Sequence, residues 1–268
     1  MLNFSANISL LFNETELIDR FKAAKQHGFK AVEIQFPYSL SVEAIQKTLE
    51  DNGLRLVLFN VAADDLLSGG EGLAAVPRKQ DQFRQAVAQA LAYAEILKPE
   101  AVNILPGCCH DKNRQPDYLE TFKENLGFAV EAFAPLGIKT VFEAVNTRDM
   151  PEFIIHSGEQ MLDILDQLDS PNLFMQYDIY HMYRMGEQPE EFINRHAEKI
   201  GHIQFADCPG RGQPGTGQIN FRQLFSAIEK SSYSGWTGAE YKPAGLTSES
   251  LGWFGANTKP ADNFARQI

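Results

Sequence analysis

The sequence contains few cysteines, no long apolar run and no basic leader. Its three cysteines (Cys108, Cys109 and Cys208) provide neither a disulfide framework nor a spaced metal site. No apolar run approaches the roughly 18 residues that a membrane-spanning helix requires. The first residues are uncharged and soon reach Glu14 and Glu16, which argues against a secretory signal. We therefore expect a cytoplasmic protein with reduced thiols.

Positive charge is also scarce. The chain has 24 Lys and Arg against 35 Asp and Glu, a formal net charge of −11. Nucleic-acid backbones and anionic membranes both need basic patches, so neither is expected as a partner. An anionic substrate would require a local positive site on this acidic protein.

No linker divides the chain. We find no Pro- or Ser-rich tract, no low-complexity segment and no shift in composition, so residues 1–268 are predicted to form one domain. A length of 268 residues is close to the roughly 250 typical of a (β/α)₈ barrel. The sequence does not fix the oligomeric state, and a homo-oligomer stays open.

Short apolar runs alternate with longer segments of helical period, as in parallel α/β folds. Phe122, Leu126, Val130 and Phe133 share one helix face, for example. An open doubly wound sheet is the competing fold, but no Gly-x-Gly-x-x-Gly follows the first strand. We therefore predict a single (β/α)₈ TIM barrel. Its eight strands are Asn3–Ile8, Ala31–Gln35, Leu54–Asn60, Ala101–Leu105, Ile138–Glu143, Leu173–Tyr177, His202–Phe205 and Gly235–Glu240.

Several boundaries carry their own signals. Ser41 and Ser157 precede helical segments and are predicted N-caps. Gly28, Gly53 and Gly137 follow helical segments, where a left-handed residue usually closes the last turn.

Oxygen-bearing side chains lie at or near the carboxyl ends of four consecutive predicted strands, with Gln204 one residue inside its strand: Glu143, Asp178, Gln204 and Glu240. In a barrel these positions meet at the catalytic face. Each carboxylate alone could equally pair with a loop cation. Burying the set together is costly without a cation, and oxygen ligands suit Mg²⁺ or Mn²⁺. A divalent metal site is therefore expected.

Six short motifs are distributed over nearly the whole chain, to about Phe254. They are Phe4–Ser9, Phe36–Tyr38, Gln176–Met182, Pro214–Asn220, Gly238–Gly245 and Leu251–Phe254. Together these motifs resemble the hydroxypyruvate isomerase family of xylose isomerase-like barrels.

The resemblance implies particular roles. Glu143 and Glu240 would be the acid/base pair, and the metal ligands would be Glu143, Asp178, Gln204 and Glu240. His181 and Asp149 correspond to substrate-contacting residues of related epimerases. Many of those relatives have His where this chain has Gln204, and an amide oxygen is a weaker ligand than imidazole for most transition metals.

The reaction implied is the interconversion of hydroxypyruvate and tartronate semialdehyde through an enediolate. The substrate carboxylate needs a cation, for which Lys242, Arg211, Arg78 and the imidazole of His181 are candidates. Period-two alternation would place Lys242 on the same side as Glu240 if the last strand continues, which makes it the first choice. Asn60, at the end of the third strand, could reach the site or cap a turn.

Alternatives remain. A 2-oxo-tetronate isomerase would use the same scaffold, with pocket length set partly by residues 60–77 and 106–117. A ketose 3-epimerase would act on neutral sugars. Endonuclease IV-like barrels need several His ligands for a zinc cluster and a basic surface that faces DNA, and this chain supplies neither in the right places. A non-catalytic sugar-binding protein would not need the two acid/base glutamates.

Overall fold

Eight parallel strands close into a barrel, each paired with the next along the chain and β8 with β1. The computed structural model describes residues 1–258. The strands are β1 (Asn3–Asn7), β2 (Ala31–Ile34), β3 (Arg55–Asn60), β4 (Ala101–Ile104), β5 (Lys139–Glu143), β6 (Leu173–Asp178), β7 (Ile200–Phe205) and β8 (Trp236–Ala239). The predicted (β/α)₈ fold is confirmed. The single-domain prediction extends to residues 259–268, which lie outside the described residues.

Helices connect the strands and cover the outside of the barrel. They are α1 (Leu17–Gln26), α2 (Val42–Asn52), α3 (Gln80–Leu97), α4 (Gln115–Phe133), α5 (Gly158–Leu168), α6 (Ile179–Arg184), α7 (Pro189–His196), α8 (Phe221–Lys230) and α9 (Gly252–Thr258). Within residues 1–258, none of them has both the length and the apolarity to cross a bilayer.

The predicted boundary residues behave as their chemistry requires. The Ser41 and Ser157 hydroxyls accept hydrogen bonds from the backbone N–H groups of the first turns of α2 and α5. Gly53 follows α2 in the left-handed region at φ 56°, where a side chain would be strained. α2 thus ends where the chain turns back toward β3.

Each strand differs from its predicted bounds by one or two residues at one or both ends, and the differences at the carboxyl ends of β6 and β8 concern the site. β6 runs one residue further and ends at Asp178, which also caps α6 by accepting from the backbone N–H of Tyr180 at 2.8 Å. β8 ends at Ala239, so Glu240 lies just beyond the strand. The carboxylates therefore sit at the junctions where strands turn into loops or helices.

The interior of the barrel is layered. An apolar cluster of Ala31, Val57, Leu58, Ala101 and Val141 is packed separately from the large core that joins strands to helices. Further toward the carboxyl ends of the strands the buried side chains become polar. The apolar layer therefore separates the polar interior from the opposite end of the barrel.

Glu33 of β2 is the centre of this polar layer and is fully buried. Its carboxylate accepts from Ser5 Oγ (2.9 Å), Asn7 Nδ2 (3.1 Å) and Gln204 Nε2 (2.7 Å), and lies 2.8 Å from His202 Nε2. Burial acts to raise the pKa of Glu33, but His202 and these donors outweigh it and lower the pKa overall. The hydrogen-bond donors around Glu33 therefore offset the cost of burying its charge.

Gly238 leaves the space that Glu33 occupies. A Cβ at Gly238 would lie 2.2 Å from Glu33 Oε2. We predict that Gly238→Ala lowers the free energy of unfolding by about 1–3 kcal/mol, because Glu33 is fixed by its donors and cannot move aside. Urea unfolding measures the effect. Gly127→Ala is the control, since a Cβ there meets nothing within 4 Å and helical Ala gains about 0.5–1 kcal/mol. Equal stability of the two variants would contradict the prediction.

Candidate active site

Three carboxylates meet at the carboxyl ends of the strands. Glu143 ends β5, Asp178 ends β6 and Glu240 follows β8, and all three are buried. Oxygen atoms of Glu143 and Asp178 and a ring nitrogen of His181 all lie within 4.8 Å of one another. Arg211 connects this group to Glu240, since its Nη2 lies 3.8 Å from Asp178 Oδ2 and 2.5 Å from Glu240 Oε2.

Glu143 is held by a neutral amide. Asn103 Nδ2 donates to its Oε1 at 2.8 Å, and the same Nδ2 lies 3.2 Å from Asn60 Oδ1. Burial raises the pKa of Glu143 to about 8, with a further contribution from the charges of Glu240 and Asp178. Asn60 therefore contacts Asn103, which in turn contacts Glu143. In the absence of a cation, Glu143 readily binds a proton at neutral pH.

Glu240 has a different set of partners. Asn7 Nδ2 (2.8 Å) and Gln35 Nε2 (2.9 Å) donate to Oε1, and Arg211 Nη2 donates to Oε2 at 2.5 Å. Burial raises the pKa of Glu240 to about 7, while Arg211 acts in the opposite direction. The two glutamates thus differ in their partners: of the two, only Glu240 is hydrogen-bonded to a guanidinium of residues 1–258.

Arg211 is the cation of the site. It lies in the loop between β7 and α8, and its guanidinium also reaches Asp178 at 3.8 Å and lies over the Tyr180 ring. Burial acts to lower the pKa of Arg211, but the charges of Glu240 and Asp178 outweigh it and raise the pKa overall. The side chain therefore stays charged. The backbone φ of Arg211 is 54°, in the left-handed region, which is strained for a residue with a side chain. Contacts of the surrounding loop must stabilise this conformation.

Asp207 holds that loop. Its buried carboxylate accepts four backbone N–H groups from residues 208–219, which closes the loop around a single side chain. The donors are Cys208 (2.9 Å), Gly215 (2.9 Å), Gly217 (2.8 Å) and Ile219 (3.1 Å). The Gly-rich run therefore surrounds a carboxylate of its own chain.

Lys242 is not placed where alternation along the last strand would put it. That argument required β8 to continue, and β8 ends at Ala239. The Lys242 side chain is exposed, while its backbone N–H donates to the Arg211 carbonyl at 2.7 Å. The cation beside Glu240 is therefore Arg211, and Lys242 contributes only its backbone.

His181 and Asp149 lie on one side of the site. Asp149 accepts from Tyr180 Oη (2.5 Å) and Asn146 Nδ2 (3.0 Å) and pairs with Arg184 at 3.1 Å. Burial acts to raise the pKa of Asp149, but these partners lower it overall. Burial and the Arg211 charge lower the pKa of His181 well below 6.5, so its imidazole is neutral at pH 7.

Gln204 is buried with both ends of its amide engaged. Its Nε2 donates to Glu33, and its Oε1 accepts from Gln176 Nε2 at 2.7 Å. The predicted ligand oxygen thus already has a donor in this structure. Its place in the metal set stays a prediction.

The carboxylates fit a divalent cation. Three carboxylates (−3) and one guanidinium (+1) leave a formal charge of −2 when all are ionised, which one divalent ion would balance. Without a cation the acids respond instead by binding protons, and the pKa of each is raised. Glu143 and Asp178 would hold the ion, and oxygen donors suit Mg²⁺ or Mn²⁺.

Five residues of the site were not singled out from the sequence: Asn7, Glu33, Gln35, Asn103 and Asp207. The first four are polar residues inside or directly after an apolar strand, a signal that could have found them, whereas Asp207 lies two residues beyond β7. Arg78, by contrast, is exposed and pairs with Glu71 at 2.8 Å.

Comparison with known proteins agrees with this architecture. Residues 21–256 match the family described as the xylose isomerase-like TIM barrel. The chain belongs to this family. It is similar to a hydroxypyruvate isomerase of Escherichia coli, with 40% identity over 94% of this chain and 97% of that protein. It is also similar to a 2-oxo-tetronate isomerase of Pectobacterium atrosepticum, at 36% identity over 94% and 96%.

A solved structure shows the same barrel. The crystal structure titled AP endonuclease, family 2, from Brucella melitensis has a TM-score of 0.91 and 34% identity, over 96% of this chain and 99% of that one. The resemblance to the hydroxypyruvate isomerase family is confirmed, and with it the prediction of an isomerase-type enzyme.

The raised pKa of Glu143 has a consequence for stability. A carboxyl group that binds its proton more tightly when folded stabilises the protein at low pH. That stability is lost as the pH rises from the unfolded value near 4.5 through about 8. We predict that metal-free Glu143→Gln is more stable than the wild type at pH 8, by at least about 1.4 kcal/mol, the equivalent of one pKa unit. The gain should shrink at pH 5.

Denaturant unfolding in the presence of a chelator measures both values. Glu131→Gln, at an exposed position of α4, is the matched control and should show no such trend. A Glu143→Gln gain that is independent of pH would contradict the argument.

Proposed function

We propose that this enzyme isomerises a small sugar acid, hydroxypyruvate to tartronate semialdehyde, through an enediolate. The observation that carries the proposal is the pair Glu143 and Glu240, two buried glutamates at one site whose pKa values are about 8 and 7. An ordinary glutamate is a weak base for a carbon-bound proton, whereas a pKa near the working pH suits proton transfer in both directions. The relatives named hydroxypyruvate isomerase support this substrate.

The protons balance as follows. Glu240, which Arg211 favours as the carboxylate, removes a proton from C3 of hydroxypyruvate and returns it to C2 after the enediolate has formed. Glu143 carries the hydroxyl proton from the oxygen on C3 to the oxygen on C2. A divalent cation, when bound, would supply Lewis-acid stabilisation of negative charge on these oxygens. Asn103, Asn7 and Gln35 hold the two carboxylates in place.

The substrate carboxylate is assigned to Arg211. Its Nε–H is buried and has no hydrogen-bond partner among residues 1–258, and a buried donor without a partner costs about 1–3 kcal/mol. A carboxylate oxygen of the substrate would satisfy it. A local cation of this kind allows an anionic substrate despite the net charge of −11.

A 2-oxo-tetronate isomerase is the second candidate, favoured by relatives of that name at 36% identity. The longer acid would need more room beside the loops at residues 60–77 and 106–117. An epimerase of neutral sugars would offer Arg211 Nε–H only an uncharged oxygen, which makes a weaker hydrogen bond than a carboxylate does. An endonuclease with a multi-His zinc site is not favoured, because the single candidate cluster within residues 1–258 includes one His. We assign the reaction to the cytoplasm.

Replacing either glutamate should abolish isomerisation without unfolding the protein. We expect Glu143→Gln and Glu240→Gln each to lower kcat by at least about 10²-fold, the range for general acid–base catalysis. Proton NMR would follow hydroxypyruvate and 2-oxo-tetronate separately, with and without chelator. Near wild-type turnover in either variant would remove that residue from the mechanism. A preference for the four-carbon acid would favour the second candidate.

The two candidate cations can be compared directly. Arg211→Gln should lower kcat/KM by at least about 30-fold, corresponding to the loss of about 2 kcal/mol from a buried charge interaction. Lys242→Gln removes the same charge from an exposed side chain three residues beyond β8 and should change kcat/KM little. Equal effects of the two variants would show that Arg211 does not bind the substrate carboxylate.

A further inference from the structure

Two hydrogen-bond donors of Asn146 point at one ring nitrogen of His181. The backbone N of Asn146 lies 3.3 Å from His181 Nδ1, and the side-chain Nδ2 lies 2.6 Å from the same atom. Both residues are buried, so water does not compete for these contacts. The environment of Nδ1 is therefore set by Asn146.

The orientation of the Asn146 amide is fixed by its other contacts. Its Oδ1 accepts from the backbone N–H groups of Arg148 (3.2 Å) and Asp149 (2.9 Å), while Nδ2 donates to Asp149 Oδ2 (3.0 Å). A flipped amide would place its NH₂ against two N–H groups and its oxygen against a carboxylate. The amide therefore presents an N–H, and not an oxygen, to His181.

The tautomer of His181 follows from this geometry. A neutral imidazole has one N–H and one acceptor nitrogen. Since Nδ1 faces two donors, Nδ1 is the acceptor and the proton lies on Nε2. Nε2 in turn faces the carboxylate oxygen Oδ2 of Asp178 at 3.5 Å, which is an acceptor. The surroundings of both nitrogens thus agree on the same tautomer.

The same geometry argues against His181 as a metal ligand. A histidine that binds a metal through one nitrogen usually donates the N–H of the other to a carbonyl or carboxylate. Here the second nitrogen faces donors, and the first carries the proton. His181 lies close to Glu143 and Asp178, but it offers them an N–H.

We propose that Asn146 is a positioning residue that holds His181 as the neutral Nε2–H tautomer, so that this N–H donates to an oxygen of the enediolate. The donation to the enediolate rests on the proposed isomerase function. A neutral imidazole N–H can act as such an electrophile in enediolate chemistry. A donor placed where negative charge develops is worth about 10²–10³ in kcat.

The test is ¹⁵N NMR of the chelator-treated enzyme labelled at histidine, in which correlations to the ring carbon-bound protons distinguish protonated from non-protonated nitrogen. The His181 signals are identified by their absence in His181→Gln. We expect wild-type His181 to show a protonated Nε2 and a non-protonated Nδ1. A protonated Nδ1 in the wild type would overturn the proposal, whatever the variants do.

Asn146→Asp extends the test. Its carboxylate can still accept from the backbone of residues 148 and 149, but it offers His181 an acceptor, so the proton should move to Nδ1. We expect kcat to fall by about 10²-fold or more, with KM changed much less. Asn220→Asp is the control, because it adds the same charge at the exposed N-cap of α8 and should leave tautomer and kcat unchanged.

The outcomes separate the two proposals. If the wild type converts neither hydroxypyruvate nor 2-oxo-tetronate, the isomerase function fails and the spectrum still decides the tautomer. If the wild type is active and Asn146→Asp retains its kcat despite a changed tautomer, the N–H donation to the enediolate is wrong.

Discussion

The site depends on burying like charges together and keeping them apart from water. Glu143, Asp178 and Glu240 are all buried at the carboxyl ends of the strands, and the guanidinium of Arg211 reaches two of them. Burial would favour neutral acids, and Arg211 favours ions, so the pKa values of the glutamates come to lie near neutrality. Proton transfer at physiological pH needs groups of this kind. The same shortage of positive charge that gives the site its chemistry also gives it the capacity to hold a divalent ion.

Neutral amides set the geometry around these charges. Asn103 holds Glu143, Asn7 holds Glu240, and Asn146 faces His181. An amide can donate without adding charge, so it fixes a carboxylate while changing its pKa less than a guanidinium would. Below them Glu33 accepts from several donors at once and thereby fixes which end of Gln204 faces the rest of the site. Asn7 donates to both Glu33 and Glu240, so one amide connects the polar layer to the site.

Much of the fold could be predicted from the sequence, because each strand is a short apolar run and each boundary has its own capping residue. Glu143 and Asp178 could be placed because they end strands, where the backbone direction fixes the side chain. Lys242 could not, since the end of β8 depends on pairing with β1 and β7, which no local pattern encodes. Arg211 was one candidate among four because its position depends on how Asp207 closes a loop, through contacts spanning up to twelve residues. Glu33 was missed because its partners come from β1 and β7, distant in sequence.

The loop closed by Asp207 has a consequence for how such a barrel can diversify. Because one carboxylate gathers four backbone N–H groups of residues 208–219, an insertion or deletion between them would leave donors unmatched and shift Arg211. The stretch between β3 and α3 carries none of the acidic groups of the site, so a change in its length would not act on them directly. Variation in substrate size among descendants of this chain would then accumulate on one side of the barrel mouth, while the other side stays constant in length.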